Sequence, residues 1–120
     1  MIFIVDDSDI GREVIKKALT LYGYSEITEA VDGVDALEKI KATAKKIDLF
    51  ILDVNMPRMD GLTLLEEIRK ADKVTPVIML TTETDKAKMA RAKELGATGW
   101  VVKPFDGEKF SKVIEMVVKK

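Results

Sequence analysis

Four unbroken hydrophobic runs punctuate the chain: Ile2–Val5 (IFIV), Leu49–Leu52 (LFIL), residues 77–80 (VIML) and residues 100–102 (WVV). Each has the length of a strand. None alternates with polar residues, so each is expected to be covered on both faces rather than to form a wet edge. A weaker run, SEITEAV at 25–31, does alternate and is expected to be an edge strand. Helical spacing fills the intervals. Ile10, Val14, Ile15, Ala18 and Leu19 form one stripe, and Phe110, Val113, Ile114, Val117 and Val118 another. Shorter stripes are Ala36, Leu37 and Ile40, then Leu62, Leu65 and Ile68. Residues 85–95 are the least amphipathic; Ala87 and Ala90 are expected inward, with Lys86, Lys88, Arg91 and Lys93 outward.

Tyr22-Gly23, Asp32-Gly33, Asp60-Gly61 and Leu95-Gly96 mark turns or helix ends between these segments. Strand and helix therefore alternate five times with short connections. That pattern predicts an α/β fold, a parallel sheet with helices on both faces. No linker, repeat or low-complexity segment interrupts it, and 120 residues suit one domain spanning 1–120.

Composition removes several kinds of chemistry. The chain has no cysteine and no histidine, so disulfides, thiolate chemistry, zinc-thiolate sites and phosphohistidine intermediates are excluded. A formal net charge of -1 argues against direct nucleic-acid binding or an electrostatic hold on a membrane. No apolar run approaches the ~20 residues that span a bilayer, and no signal peptide is evident, so a cytoplasmic location is expected.

Polar residues collect where the strands end. The first leaves into Asp6-Asp7, the third into Asp53, the fourth into Thr81-Thr82 and the fifth into Lys103-Pro104. Strands of a parallel sheet run the same way, so all four exits share the carboxyl edge where open α/β sheets bind ligands. Three carboxylates brought together repel one another, and one lysine does not balance them. A divalent cation does. An all-oxygen donor set selects Mg²⁺, Mn²⁺ or Ca²⁺, and few protein ligands completed by water suit Mg²⁺, with Mn²⁺ able to substitute. A carboxylate beside such an ion and a lysine can act as nucleophile toward a phosphoryl group. The cation, Lys103 and the Thr81 hydroxyl would then share its three equatorial oxygens.

The segments VDDS, EAVDGVDAL, LDVNMPRMDG, LTTE and GWVVKPF resemble the receiver domain of two-component response regulators over essentially the whole chain. The resemblance implies a flavodoxin-like, doubly wound five-stranded parallel sheet of order 2-1-3-4-5 with five helices. It implies that Asp53 is the phosphoacceptor, phosphorylated from the phosphohistidine of a sensor histidine kinase. Asp7 and Asp53 would bind Mg²⁺ directly, Asp6 through water, and the Asn55 backbone carbonyl would complete the protein ligands. Lys103 would pair with the phosphoryl oxygens, and Lys103-Pro104 would be a cis peptide. Thr81 and Trp100 would form the switch pair, altering a surface of the fourth helix, fifth strand and fifth helix that binds an output protein or phosphatase. Asn55 and Glu83 would tune water attack on the acyl phosphate. Such a domain is a switch, not a metabolic enzyme; it catalyses only its own phosphorylation and dephosphorylation.

Two positions depart from the commonest family residues. Thr82 stands where Ala, Ser or Gly is usual and adds a methyl beside the phosphoryl site. Trp100 is larger than the usual Tyr, Phe or His, so packing and switching both remain open for it. Other simple roles compete too. Asp6-Asp7 alone reads as a strand-to-helix turn with Ser8 or Asp9 as cap, Asp9 being the expected one, and the Lys86, Lys88, Arg91 and Lys93 cluster as a solvated face or an acidic partner's docking surface. Three functional readings stand beside the kinase-driven switch. They are a stand-alone chemotaxis-type effector, a relay shuttle to a histidine phosphotransfer protein, and a Mg²⁺-dependent phosphohydrolase. The last usually carries a second Asp where Asn55 stands. An ending at Lys119-Lys120, soon after the last helix, also fits a receiver taken from a longer regulator.

Overall fold

The computed structural model describes residues 1–118; Lys119 and Lys120 lie outside the described residues. The elements follow the alternation: β1 (Ile2–Val5), α1 (Asp9–Leu21), β2 (Ile27–Ala30), α2 (Gly33–Ala42), β3 (Leu49–Leu52), α3 (Gly61–Ala71), β4 (Val77–Thr81), α4 (Lys86–Glu94), β5 (Gly99–Val102) and α5 (Gly107–Val118). All strand pairs are parallel, in the order β2-β1-β3-β4-β5. This is the flavodoxin-like architecture implied by the resemblance, and the chain order reverses at β1.

The unbroken apolar strands are explained by two cores, one on each face of the sheet. Phe3, Val5, Phe50, Leu52, Val77 and Met79 point toward α2, α3 and α4, where Ala36, Leu64, Leu65, Ile68 and Ala92 meet them. Ile2, Ile4, Leu49, Ile51, Ile78 and Leu80 point toward α1 and α5, onto Ile15, Leu19, Phe110 and Ile114. Consecutive residues of β1, β3 and β4 alternate between these layers, so every position in these three strands is buried, and the one polar residue among them is Thr81 at the end of β4. The Phe3 and Phe50 rings meet at 5.8 Å. Truncating either to Ala would cost about 3–5 kcal/mol.

Several expectations are corrected. β5 is an edge strand despite its apolar run, because it pairs only with β4, and Val102 is 40% exposed. On α1, Ile10 and Val14 are 77% and 49% exposed; the inward positions are Arg12, Ile15 and Leu19. Ser8, not Asp9, caps that helix, accepting from the Gly11 N–H at 3.0 Å, while Asp9 is its first residue and pairs with Arg12. On α4 it is Ala92 that is buried and Met89 that is half-buried, whereas Ala87 and Ala90 face solvent. A helix with so few apolar residues leaves its rotation undetermined by pattern alone. The Lys103-Pro104 bond is cis, as the resemblance implied.

Candidate functional site

Backbone bonds that continue beyond the strand ends fix the site. Asp6 N donates to the Ala30 carbonyl at 3.2 Å, Asp53 N to Val5 at 2.9 Å, and Lys103 N to Thr81 at 2.8 Å. These bonds hold Asp6, Asp53, Thr81 and Lys103 in register along one edge, at and beside the reversal in strand order. Behind Asp53 the chain turns sharply into α3. Gly61 N bonds the Val54 carbonyl at 2.8 Å, and a Cβ on Gly61 would fall 2.0 Å from the Asp53 carbonyl oxygen. Only glycine permits that approach.

The three acids do converge. Carboxylate oxygens of Asp6, Asp7 and Asp53 lie within 4.8 Å of one another. Asp6 is 1% exposed; it accepts from Ser8 N–H at 2.9 Å and from Lys103 Nζ at 2.7 Å. Asp53 is half-buried, with Oδ2 3.6 Å from the same ammonium, and Asp7 is exposed. Burial pushes the Asp53 carboxyl above its ordinary range. A hydrogen bond from the Thr81 hydroxyl and the Lys103 charge oppose this, and the Asp6 charge adds to it.

Thr81 is fully buried, and its Oγ1 accepts from Glu83 N–H at 3.1 Å. The register pairs Met79 with Trp100 and Thr81 with Val102, so Thr81 and Trp100 are diagonal neighbours on one face of the sheet. The Trp100 indole N–H is buried and finds no hydrogen-bond partner among the described residues. Beside the ring lies a cavity of about 400 Å³ lined by Met89, Ala90, Ala92 and Ala97.

At the rim, exposed Asn55 donates from Nδ2 to Glu83 Oε1 at 3.3 Å, so the two residues paired by resemblance touch. Lys88 reaches the same oxygen at 3.1 Å, which draws one member of the α4 basic cluster into the site. Thr82 is exposed.

Arg12 is a site residue that the pattern of the sequence did not single out. Buried under the β1–α1 turn, it donates from NH1 to the Asp6 carbonyl at 2.6 Å, from Nε to Glu29 at 3.0 Å, and from NH2 to Asp9. It thereby anchors the turn bearing Asp6 and Asp7 to β2. Its signal was a charged residue three positions before Ile15 on the inward stripe.

Fold and site together define an open α/β domain with an acidic crevice at its topological switch point. A family model described as the response regulator receiver domain matches residues 2–115, and the chain belongs to that family. It is a two-component signalling switch of the chemotaxis type. The chemotaxis protein CheY of Treponema pallidum is 39% identical over 118 residues, 98% of this chain and 82% of that protein. Chemotaxis protein CheY1 of Helicobacter pylori is 39% identical over 119 residues, 98% of this chain and 95% of that one. Among solved structures, the chemotaxis protein CheY4 of Vibrio cholerae superposes with a TM-score of 0.87 at 41% identity, covering 97% and 96% of the two chains. A CheY-like receiver domain protein from Methanospirillum hungatei gives 0.89 at 26% identity, covering 98% and 91%.

Proposed function

We propose that Asp53 accepts a phosphoryl group from the phosphohistidine of a sensor histidine kinase, and that this changes the binding properties of the α4-β5-α5 surface. The observation behind this reading is the meeting of three carboxylates, one ammonium and one buried hydroxyl at the ends of β1, β3, β4 and β5. In the transfer a carboxylate oxygen of Asp53 forms the new O–P bond as the donor's N–P bond breaks, and the departing imidazole nitrogen takes up a proton. Lys103 neutralises charge on the phosphoryl oxygens, and the Thr81 hydroxyl hydrogen-bonds one of them.

The donor set fits Mg²⁺, since all the ligands are hard oxygens and three carboxylates face one ammonium. Asp7, Asp53 and the Asn55 carbonyl would hold the ion, with Asp6, already bonded to Lys103 and Ser8, reached through water. Bound Mg²⁺, or Mn²⁺ in its place, supplies charge neutralisation for the transferring group. Thr81 drawn toward the phosphoryl group would vacate space on the face it shares with Trp100, and the cavity beside the indole gives that ring room to repack. This makes the domain a binding switch that reacts with its own phosphodonor in the cytoplasm. Asn55, in place of a second acid, disfavours repeated phosphohydrolase turnover.

Beryllofluoride with Mg²⁺ tests the switch. Amide shifts are expected in the β4–α4 loop, at Trp100 and along α4; shifts confined to Asp7 and Asp53 would contradict it.

A further inference from the structure

The β3–α3 loop, which carries Asn55, is strapped to the start of α2. Arg58 lies three residues after Asn55 with φ 65, a backbone region that side-chain-bearing residues rarely adopt. Around it Met59 N–H donates to the Pro57 carbonyl at 2.7 Å, closing a γ-turn of the rare hand. That turn aims the guanidinium at Asp32, which it grips with both arms of the fork: Nε to Oδ2 at 2.7 Å and NH2 to Oδ1 at 3.0 Å. Asp32 is 4% exposed and also caps α2 by accepting from Asp35 N–H at 2.9 Å. A second strap lies alongside: Gly33 N–H donates to the Met59 carbonyl at 3.3 Å, and a Cβ on Gly33 would fall 2.7 Å from Met59 Cβ.

The Arg58 side chain is 57% exposed, so water alone would satisfy its charge without an unfavourable φ or a buried partner. We propose that Arg58 is a positioning residue for the divalent-cation site: its fork on Asp32 fixes the β3–α3 loop, and with it the Asn55 carbonyl. The inference rests on the reading that Asp7, Asp53 and Asn55 hold Mg²⁺. Planar two-point pairing sets direction as well as distance, which a lysine at the same place does not reproduce. Partners that orient metal ligands without touching the metal commonly govern affinity tenfold or more.

Three variants test this by calorimetric titration with Mg²⁺ alone. Arg58→Gly keeps the positive φ and loses the fork, Arg58→Lys keeps the charge, and Asp32→Ser keeps a capping side chain. Each is expected to raise the Mg²⁺ dissociation constant about tenfold. The double variant Arg58→Gly/Asp32→Ser is expected to bind no more weakly than the weaker single one, because both remove one contact. Phosphorylation from acetyl phosphate should need proportionally more Mg²⁺ yet reach the wild-type rate at saturation. Dissociation constants within twofold of wild type, or a saturated rate that falls with no change in Mg²⁺ requirement, would overturn the assignment. Failure of the wild-type protein to bind Mg²⁺ would overturn it together with the reading beneath it.

Discussion

Lys103 Nζ lies 2.7 Å from Asp6 Oδ2 but 3.6 Å from Asp53 Oδ2, so the lysine from β5 is held by the acid of β1 rather than by the proposed phosphoacceptor. Asp6 is the more deeply buried of the two acids, and its charge has the greater need of a partner. Phosphorylation of Asp53 would place new charge within easy reach of an ammonium already aimed at the site. Replacing Lys103 with Ala leaves Asp6 buried without its cation. A destabilisation of about 1–3 kcal/mol is expected, below the range for fully buried pairs because the lysine is 20% exposed. Urea unfolding in chelator measures it, and Mg²⁺ should restore part of the loss.

Asp53 gives a prediction with a definite sign. Its carboxyl is pushed above the ordinary range, so the folded state holds a proton more readily than the unfolded chain. Stability from this group is therefore greatest below the ordinary aspartate range and declines as pH rises through the raised value. Asp53→Asn removes the buried charge. In chelator it should raise Tm at pH 7, and the advantage should shrink and then disappear as the pH falls into the ordinary aspartate range. An advantage that grows on acidification would refute the assignment of the shift.

Cation binding should appear as stability without any phosphodonor. An ion that binds only the folded state at ten times its dissociation constant adds about 1.4 kcal/mol, or roughly 5–6 °C in Tm. Asp7→Asn is expected to remove most of that gain. Thermal scans of both proteins with Mg²⁺ and with chelator decide the matter.

The rim contacts should set the lifetime of the phosphorylated state. Glu83 Oε1 is shared by Asn55 and Lys88, and Glu83 N–H is bonded to Thr81. Lys88→Ala frees one side of that carboxylate and is expected to change the dephosphorylation rate severalfold while leaving phosphorylation little affected. Thr82→Ala, which removes a methyl at an exposed position of the same loop, should speed phosphorylation or dephosphorylation. Phosphoryl incorporation from acetyl phosphate and phosphate release after removal of the donor measure the two rates in each variant, and rates identical to wild type in both would dismiss the idea.

The strands were legible because burial on both faces leaves an unbroken apolar signature, and the convergence of Asp6, Asp7, Asp53, Thr81 and Lys103 followed from parallel strands ending on one edge. Arg12 and Arg58 were not legible. A charged residue reveals its partner only once the fold has brought Glu29 or Asp32 beside it. Ile10 and Val14 misled because the pattern records hydrophobicity, not whether a neighbouring element covers it. On α4, two exposed alanines and one buried alanine are chemically identical, so only packing against β4 and β5 separates Ala92 from Ala87 and Ala90. Edge strand β5 carries an interior-like sequence for a related reason, since α4 and α5 cover part of it from either side.

The most direct test is phosphoryl incorporation from acetyl phosphate, read by intact mass with and without Mg²⁺. One phosphoryl group on the wild-type protein, dependent on Mg²⁺, labile to hydroxylamine and absent from Asp53→Asn, is the predicted result. Equal incorporation into Asp53→Asn, or incorporation indifferent to Mg²⁺, would contradict it.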